Sequence, residues 1–485
     1  MTVIASIDPR TGAAVETVAT ASTPAQVDAL AHAALAAAGP LDALGRDGRA
    51  ALLDTLADAL EEDRAPIVEV ADRETALGAT RLNGELTRST YQLRLFASVL
   101  RDGGYLEATV DHAGDTPMGP RPDLRRMLVP LGPVAVFGAS NFPLAFSVPG
   151  GDTASALAAG CPVVLKAHGS HPATSRRCFD VLSAAARRAG APDGTLGIVY
   201  GQQAGADLVA HPAIRAAGFT GSTAAARALL AVIDRRPDPI PFFGELSSLN
   251  PVVVTPAAAA DHPAEIAAGL AASFTLGVGQ FCTKPGLAFI PDGLGGDTLV
   301  AALDKAVAAT PAGVMLNDGI AAAYEKATAR PRGTALLRLA RAAGLPPSAL
   351  EECFGPVATI ARYSDEADLF AALDTLPSSL TATIHRGPGE TALPAEVTRR
   401  LLPRAGRILY DGYPTGVAVS WAQHHGGPWP ATNSQHTSVG ATAIRRFLRP
   451  VAWQNAPADL LPPELRDDYD AIPRRVGGIL HASTA

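Results

Sequence analysis

The chain has 485 residues, of which 47% are hydrophobic and 18% charged, and a formal net charge of −7. A composition this apolar excludes wholesale disorder, and the length allows two or three folding units around a large core. The acidic balance argues against nucleic-acid binding, which needs a basic face, but leaves room for a locally positive pocket.

The first residues, MTVIASIDPRTG, place Asp8 and Arg10 where a secretory signal needs an apolar stretch. Residues 24–102 read as helices. Thr23 can cap PAQVDALAHAALAAA, 49–76 has apolar residues at helical spacing, and another helix over 81–104 ends at Gly103 and Gly104. The polar, Pro-rich piece 111–126 is expected as an exposed arm. The uncharged run 127–151 is long enough to span a bilayer. Pro130, Pro133, Pro143 and Pro149, with Ser140 and Asn141, make it buried strand, loop and helix start instead, so no membrane span is predicted.

Short β-rich runs follow at 133–137, 162–166, 197–201 and 216–220, separated by stretches of helical composition. This alternation predicts an α/β fold with a parallel sheet covered on both faces, whose ligands bind beyond the C-terminal strand ends. A second α/β block is expected from Asn250 to about residue 440. It holds a helix over 262–277, a loop with Cys282 and a strand. The tail, 451–485, is expected to pack along the surface or a partner subunit.

Four cysteines, Cys161, Cys178, Cys282 and Cys353, form no CxxC pair. Neither a disulfide framework nor a metal site is predicted, and a reducing, cytoplasmic setting fits. Cys282, in GVGQFCTKPG, follows an apolar helix among glycines. Lys284 stands two residues on, where positive charge would lower the thiol pKa and make Cys282 a nucleophile; a structural core cysteine is the bland alternative. Glu245, in FFGELSSLNP, has apolar flanks that would raise its pKa and suit it to general-base work, or it is a surface acid at a strand end. Asn141 follows a buried strand, before Pro143 is expected to open a helix. Its amide can donate to an oxyanion or simply cap that helix. Lys166 and His168, at a strand end, can hold a phosphate or ribose. Gly221 and Ser222 open a helix whose N-terminus can take a phosphate. Glu351 or Glu352, before a Phe-Gly-Pro turn, can bind ribose hydroxyls, though each also reads as a surface acid.

In order, Asn141, Lys166, Gly221-Ser222-Thr223, Glu245, Cys282 and the Glu352-x-Phe354-Gly-Pro turn resemble the aldehyde dehydrogenase superfamily over nearly the whole chain. The resemblance implies a Rossmann-type cofactor domain, an α/β catalytic domain and a small oligomerisation arm. Mapped here, these are 1–108 with 127–244, then 245–444, then 109–126 with 445–485. It further implies Cys282 as nucleophile, Glu245 as activator of water, and Asn141 with the Cys282 backbone N–H as oxyanion hole. Lys166 would hold the adenine ribose and any 2′-phosphate, Glu352 the nicotinamide ribose, and Phe354 would pack near the nicotinamide ring.

Several departures narrow the branch. Where many NAD-preferring members have a glutamate, this chain has Gly169. With Lys166, His168 and Ser170 close by, that implies NADP, or use of both NADP and NAD. Ala226 replaces the usual second glycine of the turn, and Ser247, Ser248 and Leu249 replace Gly-Gly-Lys. The segments SNFPLAFSVPGGDTASALAAGCPVVLKAH, FFGELSSLNP, GQFCTKPG and HHGGPWPAT…TSVGATAIRRFLRP are most similar to the 2,5-dioxovalerate (α-ketoglutarate semialdehyde) dehydrogenases and their bacterial fatty-aldehyde relatives. The same branch would place 81–97 along a substrate tunnel, offering Arg88, Gln92 and Arg94 to a substrate carboxylate; helix-surface side chains are the alternative. A homodimer or homotetramer is implied. The reading from another class, a cysteine-dependent hydrolase or acyltransferase, lacks an evident histidine partner for Cys282 in the sequence.

Overall fold

The computed structural model describes residues 2–483. An N-terminal hairpin, β1 (Val3–Asp8) and β2 (Ala13–Thr20), leads to helices α1 (Pro24–Asp42), α2 (Gly45–Glu62), α3 (Arg64–Thr75) and α4 (Ala79–Asp102). Thr23 and Gln26 form a reciprocal capping box at the start of α1. Gly103, at φ 74°, ends α4 in the left-handed conformation that glycine adopts without strain. The helical stretch 49–76 divides into α2 and α3. Asp63 leaves helical geometry, and Pro66, which lacks an N–H for the ladder, falls in the first turn of α3, where that loss costs nothing.

Next come β3 (Thr109–Asp111), the exposed hairpin β4 (Gly114–Thr116) and β5 (Gly119–Arg121), and β6 (Leu124–Pro130). The alternating section holds β7 (Val134–Phe137), α5 (Gly151–Ala159), β8 (Val163–Lys166), α6 (Pro172–Arg188), β9 (Leu196–Val199), α7 (Gln202–Ala210), β10 (Ala216–Thr220), α8 (Thr223–Ile233) and β11 (Phe242–Glu245). Its strands form a parallel sheet in the order β11-β10-β7-β8-β9. Side chains alternate across it. Val134, Val136, Val163 and Leu165 enter a core with α2, α4 and α5, while Ala135, Phe137 and Val164 enter one with α1 and α7. Pro143 does not open a helix: 143–149 is a series of turns, and α5 begins at Gly151.

A second parallel sheet has the order β14-β15-β13-β12-β16-β17. Its strands and covering helices run as β12 (Val252–Val254), α9 (Pro256–Asp261), α10 (Pro263–Thr275), β13 (Leu287–Pro291), α11 (Leu294–Ala308), α12 (Asp318–Thr328), β14 (Leu336–Arg341), β15 (Val357–Tyr363), α13 (Glu366–Leu373), β16 (Ser379–His385), α14 (Ala392–Leu401) and β17 (Ala405–Tyr410). The tail does more than coat the surface. Its strands β18 (Leu448–Gln454), β19 (Arg474–Val476) and β20 (Ile479–His481) join β3 and β6 in a third sheet, ordered β18-β6-β3-β19-β20. No single helix among the described residues is long and apolar enough to cross a membrane.

Strand register decides what can meet. Phe137 pairs with Lys166, and Thr220 with Glu245, so four chain-distant segments end along one edge of the first sheet.

Candidate active site

Cys282 sits in a loop whose shape is over-determined. After α10 the backbone passes through Gly277, Val278 and Gly279 at φ 56°, 59° and 65°. For Val278, a β-branched residue, that conformation is strained. A Cβ on Gly279 would lie 2.1 Å from the Gly355 carbonyl oxygen, so only glycine permits this close approach to the Glu352–Phe354 turn. Asn250 Nδ2 donates to the carbonyls of Cys282 (2.8 Å) and Lys284 (3.0 Å), clamping the loop from behind. Asn141 Nδ2 donates to Gln280 O at 2.9 Å, and Arg81 Nη2 to Asn141 O at 2.5 Å. Asn141 is therefore no helix cap; its buried amide sits beside the cysteine loop.

Sequence spacing offers no histidine partner for Cys282, but the fold supplies His425. Its Nε2 lies 3.8 Å from Cys282 Sγ and 2.8 Å from Glu245 Oε1. Ser438 Oγ donates to Glu245 Oε2 at 2.9 Å and lies 3.1 Å from His425 O, a second acceptor for the same proton. Glu245 closes β11, and its backbone bridges to Thr432, bringing the 424–439 loop against the strand end. The two histidines of HHGGPWPAT were the visible signal; nothing local to that segment tells which of them meets the cysteine.

Two electrostatic expectations are corrected. Lys284 does not activate Cys282. It is buried with Nζ donating to the carbonyls of Cys353 (3.0 Å) and Val357 (2.8 Å), and burial lowers its pKa to about 8. Burial, then the adjacent Glu245 carboxylate, push the Cys282 thiol well above its ordinary range. Glu245 is not raised. Burial pushes it up, but the charge and hydrogen bond of His425, with bonds from Ser438 and Cys282, outweigh that and hold it below the ordinary carboxyl value. Cys161 and Cys178 are buried core thiols, and burial raises both, Cys161 to about 12.

A cavity of about 340 Å³ is lined by Asn141, Gly221, Ser222, Glu245, Cys282, Glu352 and Phe354, among others. Ser222 caps α8, whose N-terminal N–H groups face an anion readily; Gly221 lies where a Cβ would touch the Phe219 ring at 2.7 Å. Burial raises Glu352 to about 7, against the opposing influence of Ser248 N–H and Lys284. Ala226, in place of the usual glycine, is fully buried in the core beneath α8. Lys166, His168, Gly169 and Ser170 do not line this cavity. Lys166 is half-buried at the end of β8, and burial lowers its pKa. His168 stacks on His171 with ring centroids 5.3 Å apart, and its Nδ1 accepts from Ser170 N at 3.1 Å. Gly169 and Ser170 line a neighbouring cavity of about 620 Å³ with Arg10 and Arg332. A Cβ on Gly169 would meet nothing within 4 Å. A dinucleotide fits this set: a ribose-binding acid, a capped helix N-terminus and a lysine at a parallel strand end.

On α4, Arg88 and Gln92 are separated by about one turn and share a face, but Arg94 is carried to the opposite side, where it pairs with Asp58 in solvent. Arg94 therefore does not share the face expected to offer Arg88, Gln92 and Arg94 together. Gln92 is buried against Gly151, and its Nε2 has no partner among the described residues. Arg88 Nη1 donates to Val417 O at 2.6 Å, while its buried Nε and Nη2 have no partner among the described residues. Its charge bears on both Cys282 and Glu245. Arg407, which sequence reading missed, donates to the carbonyls of Pro414 and Gly416, each at 2.9 Å, so two arginines grip one turn, 414–417.

The model of the aldehyde dehydrogenase family matches residues 1–344. Over 457 residues, 88% of this chain and 86% of the relative, the sequence is 47% identical to alpha-ketoglutaric semialdehyde dehydrogenase 2 of Azospirillum brasilense. It is 42% identical over 480 residues, 94% of this chain and 91% of the relative, to the alpha-ketoglutaric semialdehyde dehydrogenase of Acinetobacter baylyi. Among solved structures, 1-pyrroline-5-carboxylate dehydrogenase from Thermus with bound NAD superposes with a TM-score of 0.79 at 20% identity, covering 93% of this chain and 89% of that one. An E. coli NADP dependent enzyme does so with 0.78 at 22%, covering 93% and 94%. At such identities these two likenesses speak for the fold alone.

Proposed function

Since the chain belongs to the aldehyde dehydrogenase family and is an NAD(P)-dependent aldehyde oxidoreductase, we propose that it oxidises 2,5-dioxovalerate to 2-oxoglutarate with NADP. The observation that carries the chemistry is the contact of His425 with both Cys282 and Glu245, which line one cavity together with Asn141.

The Cys282 thiol is not ionised in advance, because burial, and then the carboxylate beside it, raise its pKa. Its proton leaves as sulfur attacks the aldehyde carbon, and the His425–Glu245 pair is the acceptor within reach. Once that pair is protonated, His425 Nε2–H can donate to the sulfur. The developing oxyanion takes the free N–H of the Asn141 amide and the Cys282 backbone N–H; one such donor is worth about 10²–10³ in kcat. Gly221, Ser222, Glu352 and Phe354, with Lys166, His168, Gly169 and Ser170 beyond, would hold NADP, or NAD. When bound, the cofactor supplies the hydride acceptor. The acyl group remaining on Cys282 is a thioester. After the first proton has left the pair for solvent, Glu245 deprotonates the water that attacks the thioester carbon; the C–S bond breaks, the sulfur takes that proton, and the acid and the thiol are released.

The relatives' names point to the keto-acid aldehyde. The half-buried, carboxylate-free Arg88 supports the same reading, since its buried Nε and Nη2, without a partner among the described residues, call for an anionic one. The two large parallel sheets support separate cofactor and catalytic segments and the third sheet an assembly segment, with β6 (Leu124–Pro130) running across the 126/127 boundary and β11 (Phe242–Glu245) across the one at 244/245. Exposed Ile479 and Leu480 on the edge strand β20 support a homodimer or homotetramer, and four free cysteines a reducing, cytoplasmic setting. The Cys282–His425–Glu245 chain would equally serve a cysteine-dependent hydrolase. A comparison of kcat/KM for 2,5-dioxovalerate, succinic semialdehyde and decanal with NADP and NAD tests the reading. A preference for decanal would make the protein a long-chain aldehyde dehydrogenase; acyl-ester hydrolysis without any NADP reduction would make it a hydrolase.

A further inference from the structure

We propose that Cys282, His425 and Glu245 form an inhibitory binding site for a thiophilic divalent cation of the zinc class. One donor atom from each lies within 4.8 Å of the others. Sulfur, imidazole nitrogen and carboxylate oxygen are the ligand types zinc selects, and three protein ligands with one open position is a stable arrangement for it. With Zn–S about 2.3 Å and Zn–N about 2.0–2.1 Å, tetrahedral geometry sets sulfur and nitrogen about 3.6 Å apart. The observed separation is 3.8 Å. Nitrogen and oxygen need about 3.4 Å by the same geometry; the 2.8 Å contact of His425 with Glu245 has only to open as its hydrogen bond is replaced by the ion.

The protons have places to go. Cys282 releases its own to solvent as the S–Zn bond forms. His425 must free its Nε2 lone pair by moving that proton to Nδ1, a buried atom with no partner among the described residues, so no existing bond is broken there. Ser438, within hydrogen-bonding reach of both Glu245 Oε2 and His425 O, is a ready outer shell for two ligands. Cys282 and Glu245 both line the cavity, which gives the ion its entry and room for a water. The trio Asp28, His32 and His211, of which Asp28 and His32 are exposed, lacks these properties. There His211 Nδ1 accepts the Ala213 N–H, which keeps the proton on Nε2, the nitrogen facing Asp28.

The inhibition rests on Cys282 being the nucleophile proposed above; the binding site does not. Full-length enzyme stripped with EDTA is titrated with Zn²⁺ in thiol-free buffer. Iodoacetamide labelling of Cys282 is read by peptide mass spectrometry, in parallel with NADPH formation. Protection of Cys282 and loss of turnover should share one midpoint, and EDTA should reverse both. His425→Gln and, separately, Glu245→Gln should weaken protection by at least the ~10–100-fold that loss of an outer-shell partner costs. Co²⁺ should give a thiolate charge-transfer absorption that Cys282→Ala abolishes. Labelling unaffected by Zn²⁺, or protection unchanged in both variants, overturns the site. Protection in a protein that oxidises no aldehyde would uphold the site and sink the dehydrogenase reading instead.

Discussion

His425 Nε2 stands 2.8 Å from Glu245 Oε1, both side chains buried, and this pairing decides which groups in the site carry charge. A carboxylate alone in that position would be pushed toward its neutral form by burial. With His425 and Ser438 donating to it, it stays ionised and in turn keeps the Cys282 thiol protonated.

Removing His425 should therefore act through Glu245 as well as on the sulfur. In His425→Gln the acid limb of the kcat/KM pH profile moves to higher pH, because Glu245 loses its strongest opposing influence against burial. The kcat should fall about 10²–10⁴-fold, the usual contribution of a positioned acid–base group. A profile with an unmoved acid limb would place His425 outside the proton path.

Glu245→Gln frees the His425 Nε2 lone pair for the thiol but removes the base for water. Stopped-flow traces should show a burst of NADPH followed by slow steady turnover. Burst and steady rate lost in equal measure would confine Glu245 to thiol deprotonation.

Glu352 has its pKa raised by burial to about 7. A raised acid is neutral below that value, and its carboxylate is the form that accepts ribose hydroxyls. Cofactor affinity should then tighten as pH rises through about 7 and level off above it. By linkage, the cofactor-free fold loses stability as pH climbs from the ordinary carboxyl range toward 7. In Glu352→Gln both trends should flatten in fluorescence titrations and melting curves; persistence of either would assign the titration to another group.

Arg88→Met should cost about 10–100-fold in kcat/KM for 2,5-dioxovalerate, matching the ~1.5–3 kcal/mol of a charge-assisted hydrogen bond. Pentanal, of the same length without the carboxylate, should be nearly unaffected. Equal losses for both aldehydes would mean that Arg88 only braces the 414–417 turn.

Gly169→Glu places a carboxylate in open space beside Ser170. The ratio of kcat/KM for NADP over NAD should drop at least tenfold, near one unit of like-charge repulsion in pKa terms. An unchanged ratio would move the 2′-phosphate away from this corner.

Much of this molecule is written locally. Alternating strand and helix patterns, the Thr23 cap, the Gly103 stop and the parallel strand ends at Phe137, Lys166 and Glu245 follow from short-range periodicity and turn chemistry, and so does the setting of Cys282 among glycines. What surrounds that sulfur does not. Lys284, two residues away, turns into the protein toward backbone carbonyls, while His425, 143 residues away, arrives at 3.8 Å. Arg88 and Arg94 look alike in the sequence, yet helix geometry turns one partly inward and exposes the other. Nearness along a chain constrains backbone shape only; the charge state of a thiol depends on which side chains and how much water occupy the same few ångströms, and only the packed sheets and loops determine that.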